Sequence, residues 1–92
     1  MRQDFAETQA LTLLAWLATD EDLLPIFMGA TGTSETDLRH RAGEPEFLAS
    51  LLDFLMMDDQ WILSASDATG IRAEDFAAIR AGLPGGALPN WT

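Results

Sequence analysis

The sequence predicts an all-α protein, a compact bundle of five or six short helices built from two related three-helix halves. Three observations lead to this prediction. Apolar residues recur at helical spacing, residues 13–42 reappear as residues 51–80, and residues that favour strands are scarce. Valine is absent and isoleucine occurs only four times. Because β-branched residues favour strands, nothing in the chain indicates a sheet.

The internal duplication has an offset of 38 residues and places eight identical residues in thirty aligned positions. The identities are Leu13, Leu14, Leu17, Asp20, Ala30, Thr31, Gly32 and Asp37, which recur as Leu51, Leu52, Leu55, Asp58, Ala68, Thr69, Gly70 and Asp75. Two copies are too few for a solenoid, which needs about three repeats to bury a continuous core. We therefore expect the halves to face each other across a pseudo-twofold axis.

The first helix of each half is predicted over about Asp4 to Ala18 and over Pro45 to Met57. Pro45 suits a first helical turn, where its missing N–H leaves no hydrogen bond unmade. The segment 10–18 is apolar almost all round, so we expect it to be the most buried helix. The other helix carries one wide apolar stripe, formed by Phe47, Leu48, Leu51, Leu52 and Leu55.

The second helix of each half follows acidic residues, at positions 20–22 and 58–59. Carboxylates there can accept hydrogen bonds from free backbone N–H groups and suit the positive end of the helix dipole. Since Pro25 must fall in the first turn, Asp22 is the preferred cap in the first half. Both helices should end at Ala-Thr-Gly, where Gly32 and Gly70 can adopt the left-handed conformation that commonly terminates a helix.

The third helix of each half is predicted from about Ser34 to Gly43 and from about Arg72 to Gly82. Each should carry one large apolar residue into the core, Leu38 or Phe76. Residues 1–82 then form a single domain, and residues 83–92 an irregular tail rich in proline and glycine. For Trp91 in this tail we favour packing, either back on the domain or on a partner subunit. The alternative is a role in recognition.

The chain is strongly acidic, with 15 Asp and Glu residues against five Arg in 92 residues, for a net charge of −10. This charge repels phosphate backbones and anionic membranes, so we expect neither nucleic acid nor membrane as a partner. It serves solubility, or it attracts a partner with a basic surface. Without cysteine, a disulfide or a thiolate zinc site is excluded. No segment is typical of a signal peptide or a membrane span, so a cytoplasmic location is the expectation.

The densest positive spot in the sequence is Arg39, His40 and Arg41, at the end of a predicted helix. It could contact an acidic partner or an anion, although pairing with neighbouring acids is favoured. His40 is the only histidine and no nucleophile or second ligand is placed beside it by any motif. Asp20 to Asp22 are explained better by capping than by metal binding. We therefore predict no catalytic residue, no metal and no cofactor, and a protein that is not an enzyme.

A DNA-binding helix-turn-helix is the alternative. The second half places Ala65, Gly70, Ile71, Phe76 and Ile79 at spacings where that motif has its small residue, turn glycine and core residues. Arg72 and Arg80 would then contact phosphates. The same helix carries Glu74 and Asp75, which weakens the case. Under this hypothesis, the protein is a DNA-binding regulator whose helix-turn-helix motif is degenerate.

Several segments together resemble a known family. They are 13–18 (Leu-Leu-Ala-Trp-Leu-Ala), Gly32 with Leu38-Arg39, 45–48 (Pro-Glu-Phe-Leu), 52–55 (Leu-Asp-Phe-Leu) and Asp58-Asp59. From Ala10 to about Arg80 the chain resembles a family of small bacterial all-helical proteins known only as a domain of unknown function. The resemblance implies a helical fold and a bacterial cytoplasmic setting. It transfers no catalytic residue, substrate or cofactor.

The function that these observations favour is a small, acidic, non-enzymatic module for protein–protein interaction. Its partner would present a basic or an apolar surface, and self-association into a homo-oligomer is a further expectation. Contact would be made through an exposed apolar groove or through Trp91. Methionine and tryptophan side chains could line such a groove, but we favour a role in filling the core. The residues are Trp16, Met28, Met56, Met57 and Trp61.

Overall fold

The computed structural model describes residues 1–84, and all regular structure within them is helical. The helices are α1 (Gln3–Leu17), α2 (Leu23–Thr31), α3 (Glu35–Arg41), α4 (Pro45–Leu55), α5 (Asp59–Thr69) and α6 (Phe76–Ala81), with a 3₁₀ turn over Ala73–Asp75 leading into α6. The prediction of an all-α bundle of five or six short helices is confirmed. Most of the predicted tail, with Trp91, lies outside the described residues.

Aspartates start α2 and α5, but the cap of α2 is not the predicted one. Asp22 holds the N-cap position in a helical backbone conformation and its side chain makes no capping bond. Asp20 Oδ1 instead accepts hydrogen bonds from the backbone N–H groups of Asp22 at 3.0 Å and Leu23 at 2.8 Å. A side chain two residues upstream reaches both free donors, so Asp22 was the wrong choice. In α5, Asp58 accepts from the N–H of Gln60 at 2.8 Å.

The carboxyl ends of α2 and α5 have the same local structure. Gly32 has φ 73° and Gly70 has φ 80°, the left-handed conformation that favours glycine. The preceding Thr31 and Thr69 each donate their hydroxyl to the carbonyl four residues earlier, at 2.7 Å. Both helices therefore end at the Ala-Thr-Gly tripeptide, as predicted.

The centre of the bundle is the contact of α1 with α4, and α1 also packs against α5 and α6. Two leucine stripes meet there and are buried, Leu13, Leu14 and Leu17 from α1 and Leu51, Leu52 and Leu55 from α4. The most enclosed helix is α4, whose buried residues are Phe47, Leu48, Ala49, Leu51, Leu52, Phe54 and Leu55. The expectation that segment 10–18 is the most buried is wrong, because Leu11, Ala15 and Ala18 remain exposed.

Aromatic contacts attach α2 and α5 to α4. The ring of Phe27 meets Phe54 edge to face at 5.1 Å and Phe47 at 6.0 Å, and Phe54 stacks on Trp61 at 4.5 Å. Trp16 and Trp61 are half-buried against the core, whereas Met56 and Met57 are exposed. The tryptophans thus follow the favoured core interpretation, and these two methionines do not.

An ion pair fastens α6 to α4. Arg80 donates from Nε to Asp53 Oδ1 at 2.6 Å and from Nη2 to Oδ2 at 3.3 Å, and its Nη1 donates to the carbonyl of Pro84 at 3.1 Å. Leu83 is only 3% exposed. The core therefore extends one residue beyond the boundary predicted at residue 82.

Gly82 lies where α6 ends against the start of α1. A Cβ at this position would lie 2.8 Å from the Cβ of Ala6 and 2.9 Å from the carbonyl oxygen of Met1. Ala6 is fully buried, so α1 cannot move away without losing packing.

Replacing Gly82 by alanine should therefore lower the free energy of unfolding by about 1–3 kcal/mol, the usual cost of overpacking. The matched control is Gly29→Ala within α2, where an added Cβ meets nothing within 4 Å. That change should raise stability by roughly 0.5–1 kcal/mol, since alanine favours a helix over glycine. Urea unfolding followed by circular dichroism measures both. Equal effects of the two substitutions would contradict the close packing at Gly82.

Candidate binding groove

One face of α1 is only partly covered by another helix. Leu11, Ala15 and Ala18 occur at i, i+4 and i+7, so their side chains align along the helix. All three are exposed, and Leu11 is 42% exposed. The opposite face carries the buried leucines of the core. A contiguous apolar strip is thus left at the surface of α1.

The neighbouring helix α3 turns this strip into a groove. Leu38 and Ala42 are half-buried beside it, and together with Leu14 they complete an apolar hollow of about 270 Å³. Arg39 is the single charged residue of that lining. Because α3 has no buried residue of its own, it covers α1 only along one edge.

Two further hollows continue this one past the carboxyl end of α1. The next, of about 280 Å³, shares Ala18, Leu38 and Arg39 and adds Leu24 and Glu35. The third, of about 250 Å³, is also lined by Asp20, Glu21 and Met28. We call the whole the α1–α3 groove. Its apolar end is lined by Leu11, Leu14, Ala15 and Ala42, and its acidic end by Asp20, Glu21 and Glu35.

Local contacts hold α3 in place. Ser34 Oγ accepts from the N–H of Asp37 and Asp37 Oδ2 accepts from the N–H of Ser34, both at 3.1 Å, which is a capping box. Hydrogen bonds from the backbone and then the hydroxyl of Ser34 lower the pKa of the Asp37 carboxyl below its ordinary value of 3.8. The position of α3 therefore depends on its caps more than on burial.

The predicted positive spot at residues 39–41 is divided by the helix. Arg39 lines the groove. Arg41 lies over the ring of Phe47, 4.9 Å from its centre, and Nε of Arg41 contacts Glu44 Oε1 at 3.2 Å. His40 is exposed and is not among the residues that line the groove. Successive helical residues differ by about 100° in direction, so the three side chains do not form one site.

Both arginines of the DNA-binding alternative are paired with carboxylates. Arg80 holds Asp53 in the two-point contact given above. Nε of Arg72 contacts Asp75 at 3.3 Å, and this hydrogen bond raises the pKa of the arginine. The contact with Asp53 covers most of the Arg80 side chain, which is 19% exposed, whereas that of Arg72 is 69% exposed. Trp91, the other predicted contact, lies beyond the described residues.

Of the acidic residues that precede α2, Asp20 accepts hydrogen bonds from the backbone at the start of the helix. Within residues 1–84, no three His, Cys, Asp or Glu side chains converge as a metal ion would require. In the same span, no helix is both long and apolar enough to cross a membrane.

The sequence analysis expected an exposed apolar groove but did not place it between α1 and α3. Its main lining residues, Leu11, Ala15, Ala18 and Leu38, were expected in the core. A signal was present, because α1 is apolar on more faces than a bundle of this size can cover. The alanines at positions 15 and 18 indicate which face of α1 remains at the surface of the bundle.

Residues 3–86 match a protein family described as "Protein of unknown function (DUF3572)". The chain belongs to this family, which confirms the resemblance noted in the sequence. No curated protein and no solved structure matches the chain. A function must therefore be sought in its own surface.

Removing the capping box should loosen the wall of the groove. In Ser34→Ala, the amide hydrogens of α3 should exchange roughly fivefold faster than in the unaltered protein, as expected for the loss of a cap. The exposed Thr36→Ala, in the same helix but outside the cap, serves as control. Exchange measured by NMR should change in α3 and stay constant in α4. Equal protection of α3 in both variants would contradict this account.

The same cap sets a pH dependence. Because folding lowers the pKa of Asp37, its carboxylate stabilises α3 above pH 3.8, and this stabilisation is lost as the pH falls through the lowered value. Ser34→Ala should move the pKa of Asp37 upward, toward 3.8, in an NMR titration.

Proposed function

We propose that this member of the DUF3572 family is a non-enzymatic binding module that holds a segment of another protein in the α1–α3 groove. The observation that carries the proposal is the bare apolar face of α1, on a chain whose net charge is −10. Grooves between helices commonly receive the apolar face of a partner helix. Covering the face would remove apolar area from water, which favours association.

The lining of the apolar end supports binding rather than catalysis. Its residues are leucines and alanines with the single cation Arg39. None of these can accept or donate a proton near neutral pH, because a guanidinium does not titrate in proteins. Such a surface can hold a ligand but supplies no acid, base or nucleophile. A cytoplasmic setting is part of the proposal.

We also propose that the two halves of the domain are related by duplication. Several local features recur at the offset of 38. The helices α1 and α4 end at Leu17 and Leu55, and α2 and α5 end at Thr31 and Thr69. The Asp20 and Asp58 caps and the two threonine hydrogen bonds recur at the same offset. The eight sequence identities alone would be weaker support.

The relation identifies what is special about the groove. At the offset of 38, Ala15 and Ala42 correspond to Asp53 and Arg80, and Leu38 corresponds to Phe76. In the second half, the ion pair and the larger, buried ring fill the space between α4 and α6. In the first half, two alanines leave the corresponding space open. The groove is therefore a feature of these residues and does not follow from the bundle alone.

A carboxylate placed on the groove should abolish partner binding. Leu11→Glu introduces one at the 42% exposed position in the apolar end. Burying it against leucine should weaken binding at least tenfold, about 1.4 kcal/mol or more. The matched control is Leu63→Glu on α5, which makes the same change at a 50% exposed leucine outside the groove. Affinity capture from native lysate, quantified by mass spectrometry, compares the two.

The proposal requires a protein that is retained by the unaltered chain and by Leu63→Glu but lost with Leu11→Glu. Circular dichroism checks that both variants fold. Retention of every partner by Leu11→Glu would contradict the proposed site. Capture of duplex DNA that is lost with Arg72→Ala and Arg80→Ala would favour the alternative regulator instead.

A further inference from the structure

We propose that the occupant of the α1–α3 groove is a short amphipathic helix that places its apolar face on Leu11, Ala15 and Ala18 and its cationic end beside Asp20, Glu21 and Glu35. This inference rests on the proposed function and adds the chemistry of the partner. It follows from the hydrogen-bonding capacity of the groove and from the different character of its two ends.

The apolar end selects a segment that satisfies its own backbone. Its lining offers aliphatic side chains and one guanidinium, so a bound chain would find few partners there for its N–H and C=O groups. An extended peptide would bury these groups unpaired, at a cost of about 1–3 kcal/mol each. A helix forms these bonds internally. Its apolar residues at i, i+4 and i+7 also match the spacing of Leu11, Ala15 and Ala18.

The acidic end selects a cation. Asp20, Glu21 and Glu35 line it together with the side chains of Leu24 and Met28. Arg39, the one cation of the groove lining, shares the adjoining hollow with Glu35, so three carboxylates face one guanidinium. Asp20 Oδ1 also accepts hydrogen bonds from the N–H groups of Asp22 and Leu23 at the start of α2. An arginine or lysine could cover Leu24 and Met28 with its methylene groups while its charged head reaches the carboxylates. A neutral or acidic segment would lack this contact.

Overall charge argues against a second copy of this chain as the occupant. Each copy carries −10, so two copies repel at moderate ionic strength. Four of the five arginines are already paired with carboxylates in the described structure: Arg2, Arg41, Arg72 and Arg80. The negative charge that repels a second copy attracts a basic partner.

Three synthetic 14-residue helical peptides test the proposal directly. They share one face of leucine and alanine and differ only in two residues of the last turn, which are arginine, glutamine or glutamate. Binding to the full chain is followed by fluorescence anisotropy. The arginine peptide should bind roughly tenfold more tightly than the glutamine peptide, and the glutamate peptide should bind still more weakly. Raising the salt concentration to about 0.5 M should reduce these differences.

A charge-matched pair of variants locates the effect. Glu21→Gln with Glu35→Gln should abolish the preference for arginine over glutamine, since it removes two carboxylates from the acidic end. The control, Asp67→Asn with Glu74→Gln, removes two exposed acids that do not line the groove and should leave the preference intact. Equal loss in both would assign the preference to net charge and overturn the proposal.

The outcomes separate this inference from the proposed function. If all three peptides bind equally and Leu11→Glu abolishes binding, the groove is a binding site but its occupant is not cationic. If none of the peptides binds, the proposed function and the inference both fail. A dimer that sedimentation detects and that Leu11→Glu dissociates would identify the occupant as a second copy, which also overturns the inference.

Discussion

The structure depends on the contact between the leucine stripes of α1 and α4. Leu13, Leu14 and Leu17 on one side and Leu51, Leu52 and Leu55 on the other are all buried, and removing this apolar surface from water stabilises the fold. The remaining helices are arranged around this pair, with α2 and α5 attached through aromatic rings and α6 through packing and an ion pair. A helix has more faces than neighbours in so small a bundle. One apolar face of α1 therefore remains exposed at the surface.

The same constraint explains why the groove lies beside α3. This helix of seven residues has no buried side chain and is fixed by a capping box and by Arg41 on Phe47. It lies against α1 along one edge, whereas α6 places Phe76 and Ile79 in the core. The buried side chains of this part of the bundle thus belong to α4 and α6 and not to α3. The face of α1 that α3 covers incompletely can serve binding with little effect on the core.

Much of the fold was predictable because its signals are local. Gly32, Gly70 and Asp58 act within one helical turn, so the sequence indicated their roles correctly. The cap at Asp20 was missed because two neighbouring aspartates satisfy the same rule and only the backbone geometry distinguishes them. Periodicity also shows how many faces of a helix are apolar, but it does not show how many of these faces pack against another helix. That is why segment 10–18 was expected to be the most buried and the position of the groove was not predicted.

We propose that the groove is open because alanines occupy positions 15 and 42, which correspond at the offset of 38 to Asp53 and Arg80. The most direct measurement transfers that ion pair in the double variant Ala15→Asp with Ala42→Arg. The account predicts that the thermal unfolding midpoint is unchanged or higher and that binding of the groove partner or of the cationic peptide falls more than tenfold. Undiminished binding by a double variant in which NMR detects the new ion pair would contradict it.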